Sequence, residues 1–212
     1  MTTAAARVSV YNLANAITAL RLLLVPVFGW LLMAEGGHET GWRIAAAVAF
    51  FVAGMTDRLD GDIARRRGLV TDVGKIADPI ADKALTGTAL VGLSLLGDLS
   101  WWVTIVVLVR EVGITVLRFV VIRHGVMPAG RGGKVKTAVQ GLAIVLYVLP
   151  LSGSAHVVAV VVMACAVVLT VATGIDYLAQ AWRLRATALT RAAAAGGLGE
   201  VGEVTAGQGG DG

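Results

Sequence analysis

Asp57, Asp60, Asp62, Asp72, Asp78 and Asp82 crowd into one stretch, DRLDGDIARRRGLVTDVGKIADPIADK, of a chain that is otherwise largely hydrocarbon. Acids in such surroundings are costly unless they pair, meet water or bind a cation, so they mark function. Asp57 and Asp60 are three apart, and Asp78 and Asp82 four apart, so each pair projects from one face if its segment is helical. Two helix ends then offer four carboxylates to a shared point. Hard oxygen donors suit Mg²⁺, Mn²⁺ or Ca²⁺, whereas zinc favours His or Cys. Two such cations about 4 Å apart form a clamp on phosphoryl oxygens in an in-line displacement. Phosphoryl chemistry is therefore the leading class. Arg65 follows one turn after Gly61, within reach of a phosphate, although it also fits a surface anchor among three consecutive arginines. Gly61 and Ala64 are small enough for a ligand to lie against the backbone. Asp62 and Asp72 read as solvated acids balancing the arginines.

A second set of residues suits an anion. Arg110 and Arg118 are eight apart, about 80° around an ideal helix, and Lys134 and Lys136 open a later helix. Convergent cations of this kind fit an anionic acceptor that itself carries phosphate. Internal pairing of Arg110 with Glu111 or with the aspartates is the competing explanation.

These residues need a frame. The chain has 212 residues, 57% hydrophobic and 15% charged, with a mean hydropathy of +0.79. That leaves too little polar surface for a soluble globule and indicates a polytopic membrane protein. The net charge of +4 does not point to nucleic acid, because the basic residues sit at the ends of apolar runs; anionic headgroups are the expected partner. Cys165 is alone, so no intrachain disulfide forms. The apolar run that follows Arg7 is expected to be a span and not a cleaved leader: it is long and lacks a small-residue cleavage site.

Six helices are expected. The first covers Ala16 to Ala34, with Val8 to Asn15 as an interfacial lead-in and Pro26 as a kink. The second runs from Gly41 to about Arg65, and the third from Gly74 to about Gly97, with irregular backbone at Asp78 and Pro79. The fourth spans Trp101 to Arg123, the fifth Lys134 to Leu151, and the sixth His156 to about Arg183. One membrane domain thus covers residues 1–191, and the Gly-rich residues 192–212 are expected to be disordered. Basic residues gather in the links after helices two, four and six, and the opposite links carry essentially Arg43 alone. Both termini and the acids then face the cytoplasm. A cation-coupled transporter is the alternative of another class, but transport would spread acids along a path, and these gather at one end of two helices.

The spacing Asp57, two residues, Asp60, Gly61, two residues, Ala64, Arg65, eight residues, Gly74, three residues, Asp78, three residues, Asp82 resembles the signature of the CDP-alcohol phosphotransferases without a missing position. The resemblance implies six transmembrane helices, a homodimer, and attack by a hydroxyl on the lipid-side phosphate of a CDP-linked donor with CMP leaving. It makes Asp57, Asp60, Asp78 and Asp82 ligands of Mg²⁺ or Mn²⁺, two ions in all, and Asp82 also the base. It makes Gly61, Ala64, Arg65 and Thr71 contacts to CDP. Asn15, Thr18 and Arg21 fit the family's Asn, Thr, Arg pattern, although Ala14 replaces a frequent proline; Asn15 and Thr18 are nucleotide contacts on this view, and helix capping explains them equally well. The runs Arg110 to Arg118 and Pro128 to Thr137 resemble the branch that makes phosphatidylglycerophosphate from CDP-diacylglycerol and glycerol 3-phosphate, which would give Arg110, Arg118, Lys134 and Lys136 to the acceptor. Transfer to inositol phosphate or to phosphatidylglycerol, as in cardiolipin synthesis, remains open. The expected location is the plasma membrane, crossed several times, with the site on the cytoplasmic side.

Overall fold

The computed structural model describes the backbone of residues 13–67, 72–121 and 131–206, and the side chains of residues 16–56, 77, 79–117 and 132–183. Among the described residues every regular element is helical: α1 (Leu13–Met33), a short 3₁₀ turn (Ala34–Gly37), α2 (Thr40–Arg67), α3 (Asp72–Leu95), α4 (Trp101–Val121), α5 (Arg131–Val148) and α6 (Ser154–Ala206). Helices α1, α2 and α3 pack together, α5 and α6 lie side by side, and α4 bridges α3 and α6.

The core follows from the apolar stripes of these helices. Phe28 of α1 meets Phe50 of α2 with ring centroids 5.4 Å apart, and Leu90, Leu93, Val107 and Ile144 fill the space among α3, α4 and α5. Polar side chains tie two of these helices together. The hydroxyls of Ser94 and Thr104 are 2.7 Å apart, and Thr104 donates to the Leu90 carbonyl at 3.1 Å, which fixes α3 against α4. Many large apolar side chains face outward, among them Leu23, Trp30, Val109, Val168 and Ile175.

The end of the bundle away from the aspartates is closed by Arg43, which is buried. Its guanidinium donates to the carbonyls of Val148 and Tyr147, both at 2.7 Å, and of Gly37 at 3.1 Å, and it pairs with Asp98 at 2.6 Å. The last carbonyls of α5 have no partner within their own helix, so one side chain satisfies them while tying α2 to the 3₁₀ turn and to the α3–α4 link. The chain can reverse beside it because Glu35, Gly36 and Gly37 all adopt positive φ. At Gly37 a Cβ would stand 2.4 Å from a Leu96 methyl, so only glycine fits.

One expectation needs correction. Helix α3 starts at Asp72 and runs through Asp78 and Pro79 without a break, so the irregular backbone expected there is absent. The proline withholds a single N–H from the carbonyl one turn back, and the helix continues on both sides of it. Helix α1 has Pro26 within it, as the sequence placed it. Helix α6 runs from Ser154 through Ala206. The lead-in expected from Val8 falls on residues outside those described before Leu13.

Candidate active site

Helix α3 returns beside α2, and their register brings the acids level. Asp57 lies ten residues before the end of α2 and Asp82 ten residues after the start of α3, so both stand about 15 Å from the link at 1.5 Å per residue. Asp60, seven residues from its helix end, and Asp78, six from its own, stand about 10 Å from it. Two carboxylate-bearing positions on each helix are thus matched in height. The side chains of Asp57, Asp60 and Asp78 lie outside the described residues, as do those of Arg65, Asn15 and Arg118; Thr71 lies outside them altogether. Gly61 and Ala64 lie on the same last turns of α2.

Asp82 is described, and it lines a cavity of about 370 Å³ among α2, α3, α4 and α5. Phe50, Phe51 and Gly54 form the α2 wall, and Leu108, Leu142 and Val145 continue the apolar lining. The polar end holds Asp82 and Lys83 from α3, Glu111 from α4, and Lys136, Thr137 and Gln140 from α5. Helix phase explains this grouping: Lys136 and Gln140 are one turn apart on α5 and share a face.

Glu111 organises the charges. Its Oε1 accepts hydrogen bonds from Lys136 Nζ and from Arg110 Nη1, the latter at 3.1 Å, while Oε2 lies 3.9 Å from Lys83 Nζ. Arg110 Nη2 donates to Thr173 Oγ1 on α6 at 2.8 Å, and its guanidinium sits 5.8 Å from the centre of the Tyr177 ring. Its stem runs across Gly174, where a Cβ would lie 3.3 Å from Arg110 Cγ. Arg110 and Lys136, both anticipated as acceptor-binding cations, are therefore brought together, and Arg110 makes the internal pairing with Glu111 that competed with that role. Lys134 is exposed and is not among the residues lining the cavity. On α1, Thr18 and Arg21 are both buried, one turn apart.

Sequence reasoning missed Glu111 as a hub, along with Lys83, Gln140, Thr173 and Tyr177. Only one signal was available for them: Gln140 follows Lys136 at helical spacing, on the side of α5 that carries the charge. Nothing in the sequence marks Thr173 or Tyr177, which reach the site across 63 or more residues from an apolar helix.

Comparison with known proteins agrees with this geometry. Residues 11–172 match the family model described as CDP-alcohol phosphatidyltransferase. A protein of Mycobacterium tuberculosis named probable phosphatidylglycerophosphate synthase is 58% identical over 179 residues, covering 84% of this chain and 86% of its own length. The Bacillus subtilis CDP-diacylglycerol–glycerol-3-phosphate 3-phosphatidyltransferase is 36% identical over 185 residues, 81% of this chain and 96% of that protein. A CMP-forming cardiolipin synthase of Streptomyces coelicolor is 34% identical over 122 residues, 56% of this chain and 55% of its own. The aspartate motif, the helical frame and a match across most of its length make this chain a member of the CDP-alcohol phosphatidyltransferase family.

Proposed function

We propose that the chain transfers the phosphatidyl group of CDP-diacylglycerol to glycerol 3-phosphate, giving phosphatidylglycerophosphate and CMP. The observation that carries this reading is the shared cavity: Asp82, the last acid of the motif, lines it together with Lys136 and Glu111, and Glu111 pairs with both Lys136 and Arg110. A volume of about 370 Å³ suits a small polar substrate. The relatives that cover most of the chain bear names for this reaction.

In this reaction an acceptor hydroxyl attacks the lipid-side phosphorus, a new P–O bond forms, and the bond to CMP breaks. Asp82 takes the hydroxyl proton. Arg110, Arg118, Lys134 and Lys136 attract the acceptor phosphate, and Gly61, Ala64, Arg65, Thr71, Asn15 and Thr18 hold the CDP moiety. Asp57, Asp60, Asp78 and Asp82 fit divalent cations, Mg²⁺ or Mn²⁺: the donor set is all carboxylate oxygen, and the backbone matches its heights across α2 and α3. Bound there, two such ions would neutralise charge on the phosphoryl oxygens.

The frame in which this happens is a membrane. Ala16–Gly37 and Ser154–Arg183 are long and apolar enough to cross one. The other four helices have 18 to 28 residues, so even the 18-residue helix is about 27 Å long, close to the hydrocarbon thickness. Their charges cluster at the ends bearing the aspartates. At the opposite end stand Trp42, Trp101 and Trp102, as in an interfacial belt. Six spans, both termini and the site on the cytoplasmic side of the plasma membrane, a domain ending near residue 191 and a homodimer complete the reading.

The test is CMP release by the purified protein from CDP-diacylglycerol with glycerol 3-phosphate, inositol phosphate or phosphatidylglycerol in parallel. Release with glycerol 3-phosphate alone supports the assignment. Preference for phosphatidylglycerol would move it to cardiolipin synthesis, and no metal-dependent release with any of them would overturn it.

A further inference from the structure

We infer that Gln140 binds the acceptor hydroxyl that does not react, and so makes the enzyme selective for a vicinal diol phosphate; the inference rests on glycerol 3-phosphate being the acceptor. Gln140 is 5% exposed and lines the cavity that holds Asp82 and Lys136. Its Oε1 accepts no hydrogen bond from the protein. Buried amide oxygens are nearly always paired, because stripping water from one without replacing it destabilises the fold. The neighbours offer no relief. Phe50, Leu108, Leu142 and Val145 are apolar, and the hydroxyl of Thr137 already donates to the Gly133 carbonyl at 3.0 Å. A half-turn of the amide exchanges its oxygen and nitrogen with little change of shape, and a ligand that brings a neutral donor into the cavity then satisfies the oxygen.

The position of Gln140 says which donor. On α5 it lies one turn beyond Lys136, toward the middle of the helix, so within the polar end it stands on the side nearer the apolar lining. A phosphate drawn to Lys136 and a hydroxyl presented to Asp82 leave one further group on glycerol 3-phosphate, the hydroxyl on its central carbon. That hydroxyl can donate to Gln140 Oε1 without bringing charge toward the apolar wall. Sites built to hydrogen-bond a substrate hydroxyl reject analogues lacking it far better than apolar pockets reject an extra methylene.

The experiment compares glycerol 3-phosphate with 3-hydroxypropyl phosphate, which lacks only the central hydroxyl, on the native protein and on Gln140→Met. The native protein is expected to favour glycerol 3-phosphate by about 10- to 100-fold in kcat/KM. In Gln140→Met that ratio should fall to within about threefold of unity, through loss on glycerol 3-phosphate, with the KM for CDP-diacylglycerol unchanged. Gln140→Glu, which keeps an acceptor oxygen, should retain part of the preference. Equal use of both substrates by the native protein overturns the inference without any variant, as does an unchanged ratio in Gln140→Met. If CMP is released with inositol phosphate or phosphatidylglycerol but with neither of these two, the acceptor assignment itself has failed.

Discussion

At the scale of single residues the site is governed by an imbalance: Glu111 is shared by Lys83, Arg110 and Lys136. A buried charge deprived of its partner is far more costly than a pair replaced whole. Glu111→Gln should therefore lower stability by about 3–5 kcal/mol, read as thermal unfolding in detergent, and adding Lys136→Met should recover part of the loss. Strict additivity of the two changes would mean that they do not share an interaction. Asp82→Asn should reduce turnover by at least about 100-fold while the protein stays folded; near-normal CMP release would remove Asp82 as the base. The placement of the aspartates on two helices was legible in the sequence, because their spacing is local, three and four residues within single helices. The charge hub was not, because Glu111 meets Lys136 across 25 residues and Arg110 meets Thr173 across 63. Only packing decides such pairs.

Among the elements, the six helices were legible from their apolar runs and the glycines and tryptophans between them, to within a few residues at most ends. What escaped was the role of polar side chains in joining helices. Arg43 stood out in the sequence only as the exception among the outward links, yet it satisfies the end of α5 and pairs with Asp98. Arg43→Ala should depress thermal stability and leave the KM for both substrates unaltered, since it acts at the end opposite Asp82; a selective change in either KM would contradict that separation. Gly37 and Gly97 offer a paired test. Both have positive φ, 74° and 80°, so alanine is strained at each by about 1 kcal/mol. Only at Gly37 does the added methyl also strike Leu96, which adds about 1–3 kcal/mol of overpacking. Gly37→Ala should thus unfold at the lower temperature, and the reverse order would show that Leu96 moves freely aside.

For the whole molecule, fold class and reaction were legible together, because a membrane composition and a polar motif rarely coincide without function. Removing residues 196–212 should leave CMP release within about twofold of the full chain, as the family match ends at residue 172; a large loss would tie that end to the reaction. Chelation of divalent cations should stop turnover, and Mg²⁺ should restore it. The path of Arg110 over Gly174 has a wider meaning. The guanidinium that pairs with Glu111 is held by Thr173 of a neighbouring helix, and the clearance over Gly174 falls a few tenths of an ångström short of a methyl group. The bundle therefore contains a steric dial on an electrostatic field: Gly174→Ala shifts a cation by a few tenths of an ångström while every charge in the protein stays the same.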